Sequence, residues 1–273
     1  MKVGLRIMRN VKKQAVAPKT IPILREAFDK INDTEIRWLS SAGIMINSHG
    51  TVIMIDPLLE GFDLPLLVDM PIKSEDVPNL DAVLITHCDN DHFSRVTCRE
   101  LSEVCNSYHG PHYVAELMRE EGLKGIGHNI EETFKIGDMD ITLTPADHAW
   151  QNESSKYSKI RKFNFEDYCG FWIETKDGTI WAPGDSRLLE EHLNMKNPDV
   201  IIFDFSNNSW HIGLEDAIKL ANAYPDAKLI LSHWGSVDAP EMDAFNADPA
   251  ALIGKVINED RIYIMAPGEA FKL

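Results

Sequence analysis

The 273-residue sequence predicts an α/β fold in which two mixed β-sheets pack face to face and helices cover their outer sides. Runs of short apolar segments followed by amphipathic segments occur twice along the chain, which is typical of layered α/β domains. No Pro/Gly/Ser-rich linker separates the two halves, which indicates one domain built from both. We therefore expect a four-layer αββα sandwich.

The N-terminal segment, residues 1–34, is expected to be an arm followed by a helix. We expect residues 1–17 to be flexible or docked on a partner. Apolar residues recur at helical spacing within 20–31, which predicts a short amphipathic helix; they are Ile21, Leu24, Phe28 and Ile31. This stripe precedes the first strand of the domain and has no evident place in its core. We therefore expect it to contribute to a homo-oligomer with two-fold symmetry.

The single domain, residues 35–273, alternates strands and helices. Apolar runs bounded by turn residues predict strands at 35–39, 43–47, 51–56 and 81–85, and helices follow around 94–105 and 112–121. The second half repeats this order, with strands at 133–137, 139–146, 169–175, 179–185, 199–205 and 228–232 and a helix at 214–224. A helical stretch at 240–258 and a strand at 261–265 complete the chain.

Composition and charge limit the function classes. The net charge of −16 argues against a general nucleic-acid binder, because polyanions are repelled at long range. The four cysteines show no paired spacing, which indicates reduced thiols. The N-terminus lacks the pattern of a signal peptide, and no apolar stretch is long enough to cross a bilayer. We therefore expect a cytoplasmic protein without a membrane span.

Potential metal ligands follow the ends of four predicted strands. The histidines His87, His148 and His233 each come directly after an apolar run, and Asp185 ends another. The stretch LITHCDNDHF, residues 84–93, adds Asp89, Asp91 and His92. Because strand ends converge in layered α/β folds, these side chains are expected to form one site.

The heptapeptide THCDNDH, residues 86–92, resembles the His-x-His-x-Asp-His signature of the metallo-β-lactamase superfamily. The superfamily's later ligands have counterparts in order: His148 in PADHAW, Asp185 in APGDSR and His233 in LSHWGS. The resemblance covers roughly residues 35–270 and implies the αββα fold of that superfamily. The stretches LSHWGS and HIGLEDA are most similar to the L-ascorbate-6-phosphate lactonase-like branch. Asp89 stands where the superfamily normally has histidine.

The resemblance implies a centre for two divalent ions. His87, Asp89 and His148 would hold one ion, Asp91, His92 and His233 the other, and Asp185 would bridge both. We expect Asp91 and Asp185 to act in catalysis, and manganese, zinc or iron to be the metal. Asp89 is either a harder oxygen ligand or a residue that caps the loop by accepting backbone N–H groups.

Further residues have two interpretations each. Asp56 is either a turn residue at a strand end or the acceptor that orients a ligand histidine. His211 either packs before a helix or contacts the substrate. The basic segment 151–163 is either a solvated loop or a lid that binds an anionic group such as phosphate; its cations are Lys156, Lys159, Arg161 and Lys162. We expect loop or surface roles for His109 and His112, and solvated side chains for His49, His128 and His192.

Two divalent ions that share a water support hydrolysis of a lactone, an ester or a phosphodiester. The expected function is therefore a metal-dependent hydrolase of a small, anionic substrate resembling a phosphorylated sugar. Two alternatives remain open. One is an iron-containing redox member of the same fold, and the other is a non-catalytic protein that binds metal or ligand without hydrolysis.

Overall fold

The computed structural model describes residues 7–273, and two seven-stranded sheets form its body. A two-stranded ribbon, β1 (Met8–Arg9) and β2 (Ala15–Val16), precedes them. The next six strands are β3 (Thr34–Ser40), β4 (Gly43–Ser48), β5 (Thr51–Ile55), β6 (Ala82–Leu84), β7 (Tyr108–Pro111) and β8 (Gly125–His128). The remaining eight are β9 (Thr133–Ile136), β10 (Met139–Pro145), β11 (Cys169–Glu174), β12 (Thr179–Ala182), β13 (Val200–Phe203), β14 (Lys228–Leu231), β15 (Ile262–Tyr263) and β16 (Ala270–Lys272).

Each sheet combines an antiparallel half with a parallel half. The first sheet has the order β16-β3-β4-β5-β6-β7-β8 and is antiparallel from β16 to β5 and parallel from β5 to β8. The second has the order β15-β14-β13-β12-β11-β10-β9 and is antiparallel from β9 to β12 and parallel from β12 to β15. Both sheets are mixed, as the sequence predicts.

Alternating residues of the strands fill two separate cores. In β4, Ile44 and Ile46 face the second sheet, whereas Met45 points to the opposite side of its own sheet. In β5, Ile53 and Met54 alternate in the same way. Because successive side chains of a strand point to opposite faces, a strand that is apolar at every position is buried on both sides.

Three α-helices complete the layers: α1 (Arg95–Glu100), α2 (His112–Glu120) and α3 (Leu214–Ala223). Val114 and Met118 of α2 pack on the outer side of the first sheet, and Leu220 of α3 joins the core that contains the second sheet. The predicted four-layer αββα fold is therefore confirmed. No helix in residues 7–273 is long and apolar enough to span a membrane.

The predicted helix at 20–31 is wrong. This segment is mostly extended, and only Arg25–Phe28 forms a 3₁₀ turn. Ile21 donates its backbone N–H to Pro267 and Ile23 donates to Pro71, so tertiary hydrogen bonds replace helical ones. Phe28 is buried in the core on the outer side of the first sheet, while Ile21 and Leu24 are exposed. Of the four stripe residues, only Phe28 is buried in the core, and the predicted homo-oligomer now depends on the two exposed side chains.

The expected arm packs on its own chain where it is described. Ala15 and Ala17 are buried, and Ala17 donates its backbone N–H to Gly235. The Gln14 side chain donates to Asn246 Oδ1 at 2.7 Å. Residues 1–6 lie outside the described residues. The division into a segment 1–34 and a domain 35–273 stays a prediction.

The C-terminal part differs most from expectation. The predicted helical stretch at 240–258 consists of the separate 3₁₀ turns Asp243–Phe245 and Pro249–Leu252, with Glu259–Arg261 beyond it. Pro249 cannot donate an N–H, and Gly254 has φ +77°, so the chain changes direction at both. The strands β7, β8 and β16 lack a predicted counterpart: β7 (YHGP) and β8 (GIGH) contain Gly or Pro, which are uncommon in strands, and β16 has only three residues.

Candidate metal centre

The candidate ligands follow the C-terminal ends of strands in both sheets. His87 comes after β6 of the first sheet, while His148, Asp185 and His233 come after β10, β12 and β14 of the second. Since the carboxyl ends of parallel strands meet at one edge of a sheet, the loops there converge. The predicted convergence of the four strand ends is confirmed.

The first group of donor atoms surrounds Asp89. Its Oδ2 atom lies 3.5 Å from His87 Nε2 and 3.5 Å from His148 Nε2. His148 Nε2 also lies 3.9 Å from Asp185 Oδ2, and the donor atoms of His87, His148 and Asp185 all lie within 4.8 Å of one another. A tetrahedral site with bonds of about 2.1 Å has ligand-to-ligand distances of about 3.4 Å, so these separations suit one ion.

The second group contains Asp91, His92, Asp185 and His233. His233 Nε2 lies 3.4 Å from Asp91 Oδ2 and 3.7 Å from Asp185 Oδ2. His92 Nε2 lies 3.1 Å from the same Asp185 oxygen and 3.6 Å from Asp91 Oδ2. Asp185 therefore belongs to both groups, as a bridging carboxylate requires.

The inner nitrogens of these imidazoles are held by hydrogen bonds. Nδ1 of His148 lies 2.6 Å from the carbonyl oxygen of Trp210, and Nδ1 of His233 lies 3.1 Å from that of Ala244. Because a carbonyl only accepts, both Nδ1 atoms carry the proton. The lone pair of each neutral ring then lies on Nε2, which faces the other donors.

Asp56 orients two members of the site. Its Oδ2 accepts from His92 Nδ1 at 2.8 Å and from the Thr86 hydroxyl at 2.6 Å. Thr86 Oγ1 in turn lies 3.0 Å from His87 Nδ1. Asp56 has φ 44°, a left-handed conformation that few non-glycine residues adopt, so its strand ends in a sharp turn. Asp56 is therefore the turn residue after its strand, and its carboxylate also orients His92, so both interpretations of Asp56 apply.

Asp89 has side-chain donors on both of its oxygens. Trp150 Nε1 donates to Oδ2 at 2.7 Å, and Gln151 Nε2 donates to Oδ1 at 2.6 Å. Tyr168 donates its hydroxyl to Gln151 Oε1 at 2.5 Å and so fixes the amide. The capping interpretation required backbone N–H groups of the loop as donors to this carboxylate. The donors described for it are instead the side chains of Trp150 and Gln151.

Burial and the neighbouring charges shift the pKa values of side chains in the centre. Burial lowers the pKa of His87, so its imidazole is neutral. Burial also opposes charge on His233, but the carboxylates of Asp185 and Asp91 outweigh it and raise the pKa of that imidazole to about 9. Burial likewise opposes ionisation of Asp185, yet the charges of His211 and His92 hold the pKa of its carboxyl well below the usual range. A divalent ion would replace protons on these ligands.

The residues present fit a metal. The Nε2 atoms of His87 and His233 are buried, and neither has a hydrogen-bond partner among residues 7–273. A buried polar atom without a partner costs about 1–3 kcal/mol. Ligation would satisfy both atoms, and a mixed imidazole and carboxylate set suits zinc, manganese or iron.

His211 lies beside the shared carboxylate. Its Nε2 is 3.4 Å from Asp185 Oδ2, and its Nδ1 is 2.7 Å from Asp204 Oδ2. The side chain is buried in the protein and borders the cavity above the centre, as a substrate contact would. Asp204 was not predicted as a site residue, although it directly follows β13, as the candidate ligands follow their own strands.

A cavity of about 1020 Å³ lies over the centre. Its floor includes Asp89, Asp91, His148 and Asp185. The four cations of segment 151–163 are not among its lining residues in the described chain. The Arg161 guanidinium lies 3.7 Å from the ring centre of Tyr113 and pairs with Asp167, while Lys156, Lys159 and Lys162 are exposed.

The other histidines differ in part from expectation. His112 is exposed, as predicted for a surface role, and His49 is partly exposed and pairs with Asp177 at 2.9 Å. His109, His128 and His192 are buried, and His109 lies in β7, so the predicted loop or surface role of His109 and the predicted solvation of His128 and His192 are wrong. His192 Nε2 lies 2.8 Å from the carbonyl oxygen of Pro145, which explains its burial.

Comparison with known proteins decides the family. Residues 51–234, more than half of the chain, match the family described as "Beta-lactamase superfamily domain". The chain belongs to the β-lactamase superfamily. Within this superfamily, the more specific likeness to the ascorbate-6-phosphate lactonase-like branch stays a prediction.

Superfamily relatives of similar length match most of the chain. A UPF0173 metal-dependent hydrolase of Pyrococcus furiosus is 25% identical over 228 residues, which are 81% of this chain and 92% of that protein. One of Methanosarcina mazei is 23% identical over 88% of this chain and 99% of its own length.

Solved structures show the same fold. A possible metal-dependent hydrolase from Veillonella parvula has a TM-score of 0.71 at 20% identity, over 89% of this chain and 100% of its own. The isothiocyanate hydrolase from Delia radicum gut bacteria has a TM-score of 0.69 at 20% identity, over 88% and 100% of the two chains. At this identity the likeness shows the β-lactamase fold alone.

Proposed function

We propose that this protein is a metal-dependent hydrolase that directs water at a lactone, an ester or a phosphodiester. One observation carries the proposal: two groups of imidazole and carboxylate donors share Asp185 at the floor of a cavity. The relatives named as metal-dependent hydrolases support it.

The donor groups define the roles. His87, Asp89 and His148 would hold one divalent ion, Asp91, His92 and His233 the other, and Asp185 both. Divalent ions held by these residues would supply a water whose pKa falls from about 15.7 towards about 7. We assign Asp91 and Asp185 to catalysis because both line the cavity in which a substrate would meet the ions.

The surrounding residues position these groups. Asp56 and Thr86 fix the rings of His92 and His87, so that each presents Nε2 to a carboxylate of the centre. Asp204 fixes His211 in the same way. His211 is not assigned to an ion, and its Nε2 lies 3.4 Å from Asp185 Oδ2. We propose that His211 contacts the substrate. Fixed donors need little reorganisation during the reaction.

The test combines metal analysis with turnover. Protein purified without added metal is expected to contain zinc, manganese or iron, and to cleave at least one of 4-nitrophenyl acetate, δ-valerolactone and bis(4-nitrophenyl) phosphate. A chelator should abolish turnover, and the metal should restore it. A fully loaded protein that cleaves none of the three would contradict the proposal and favour the non-catalytic alternative.

The carboxylate of Asp89 favours a second candidate function. It replaces an imidazole by an oxygen donor, and oxygen-rich sites suit iron or manganese better than zinc. An iron centre of this kind could support oxygen-dependent redox chemistry. Oxygen uptake by the iron-loaded protein in the presence of a reductant, without hydrolysis of the three substrates, would favour this function over the first.

A further inference from the structure

The walls of the cavity above the centre are aromatic. Three pairs of rings meet edge to face, with interplanar angles of 68°, 81° and 81° and centroid distances of 6.0, 5.2 and 6.0 Å. The pairs are Phe62–Phe245, Trp150–Tyr157 and Tyr113–Phe163. Ring pairs of this geometry are rigid apolar surfaces that bind flat apolar groups. The Trp150 N–H already donates to Asp89, so this ring has no free hydrogen-bond donor for a ligand in the cavity.

Among residues 7–273, no unpaired arginine or lysine lines the cavity. Arg95 is the one arginine or lysine that borders the cavity in the described chain, and its Nε lies 3.2 Å from Glu121 Oε1. Two further carboxylates, Asp63 and Glu153, border the cavity. The formal charge of the walls is therefore negative. An anionic substrate would meet repulsion here unless a partner cation were present.

Asp89 reduces the charge at the floor. Two divalent ions would bring four positive charges, and the carboxylates of Asp89, Asp91 and Asp185 would offset three of them. With histidine in place of Asp89, as in the His-x-His-x-Asp-His pattern, only two carboxylates would offset the ions and the net charge would be +2. With Asp89 the net charge is +1. The floor therefore attracts an anion less than the usual pattern does, and this conclusion is independent of the aromatic walls.

We propose that the cavity takes an uncharged ester or lactone that carries an aromatic or other flat apolar group; this inference rests on the proposed hydrolase function. Hydrolysis joins the oxygen of water to the acyl carbon and breaks the bond from that carbon to the alcohol oxygen. One proton of the water goes to the leaving alcohol, and the other is released from the new acid. The anionic acid would be repelled by Asp63 and Glu153, which favours its release.

The experiment compares ligands that differ only in a remote charge. Calorimetry on the metal-loaded protein would measure binding of 2-naphthamide and of its 6-sulfonate. Turnover would be measured with 4-nitrophenyl hexanoate and with the mono-4-nitrophenyl ester of adipic acid. We expect the neutral member to bind at least 10-fold more tightly and to have at least a 10-fold higher kcat/KM.

The outcomes separate this inference from the proposed function. Equal or tighter binding of the sulfonate overturns the inference, whether or not any ester is cleaved. Selective binding of 2-naphthamide without cleavage of either ester supports the ligand class, and the hydrolase is contradicted if 4-nitrophenyl acetate, δ-valerolactone and bis(4-nitrophenyl) phosphate are not cleaved either. Preferential cleavage of the adipate ester overturns the inference and leaves the hydrolase intact.

Variants of the wall give a second readout. Tyr157→Ala removes one ring from a wall and should raise KM for 4-nitrophenyl hexanoate about 10-fold with unchanged metal content. Phe165→Ala is the matched control, because Phe165 is exposed and lies outside the cavity lining. If both variants have the same KM as the parent, the aromatic wall does not bind the substrate.

The basic segment provides the opposing test. If Lys156, Lys159 and Lys162 bind an anionic substrate, changing all three to glutamine should raise KM and weaken its salt dependence. Our inference predicts less than a twofold change in KM for the anionic adipate ester, because the three lysines do not line the cavity among the described residues. A large rise in KM that disappears at high salt would overturn it in favour of an anionic substrate.

Discussion

Two groups of buried histidines lie in this protein, and their ring nitrogens have different partners. In the metal centre, Nε2 of His87 and of His233 has no hydrogen-bond partner among the described residues and faces carboxylates. In the His109–His128 pair, His109 Nδ1 lies 2.9 Å from His128 Nε2. The outer nitrogens of the pair lie 2.8 Å from Ser107 Oγ and 2.9 Å from Glu132 Oε1.

The comparison shows that burial alone does not mark a functional histidine. The His109–His128 pair is as buried as the ligands, but all four of its nitrogens have protein partners, and both rings stack on Phe134 at 4.5 and 4.0 Å. It therefore needs no ion. Buried nitrogens without partners, facing several carboxylates, distinguish the candidate metal centre.

The largest expected effect comes from the shared carboxylate. Asp185→Asn removes the charge that belongs to both donor groups, so the variant should lose metal and at least 1000-fold of turnover while its circular dichroism stays native. Glu132→Gln is the matched control, because it changes the carboxylate of the His109–His128 pair and should leave metal content unchanged. Full metal content and normal turnover in Asp185→Asn would disprove a shared ligand.

A smaller effect is expected at Asp89. Asp89→His restores the usual superfamily pattern and replaces an oxygen donor by a nitrogen, so the ratio of zinc to manganese affinity should rise about 10-fold with both ions retained. Asp63→His places the same side chain at a wall carboxylate and should not alter that ratio. Competition binding measures both variants, and an unchanged metal preference in Asp89→His would show that Asp89 is not a ligand.

The last expected effect concerns the stability contributed by the His109–His128 pair, away from the metal centre. Burial, followed by the charge of His128, lowers the pKa of His109 to about 4, whereas an unfolded histidine has a pKa of about 6.5. Because the folded pKa is the lower one, its contribution is complete above pH 6.5 and is lost as the pH falls towards 4. Relative to His109→Phe, the parent should lose up to about 3 kcal/mol of unfolding free energy between pH 7 and pH 4.

Urea unfolding of the metal-free protein at several pH values measures this difference. His112→Phe is the control, because His112 is exposed on the neighbouring helix α2 and should give a curve parallel to the parent. Parallel curves for parent and His109→Phe would show that His109 is not held neutral by its surroundings.

The proximity of the candidate ligands was predictable because each ligand type follows an apolar run, and strand ends define a common edge without knowledge of the loops. The orientation of Asp89 was not, since its partners Trp150 and Gln151 belong to a loop whose 3₁₀ turns have no periodic signal. The helix predicted at 20–31 failed for a related reason. Its spacing was helical, but tertiary hydrogen bonds to Pro71 and Pro267 hold the backbone extended around Pro22.

The division of ligands between the sheets has a consequence for unfolding. His87 comes from the first sheet, whereas Asp185 and His233 come from the second. A filled centre would tie the two inner layers of the sandwich together at one edge, so bound ions would add to the free energy of unfolding. The metal-free protein should therefore unfold at a lower temperature than the metal-loaded protein.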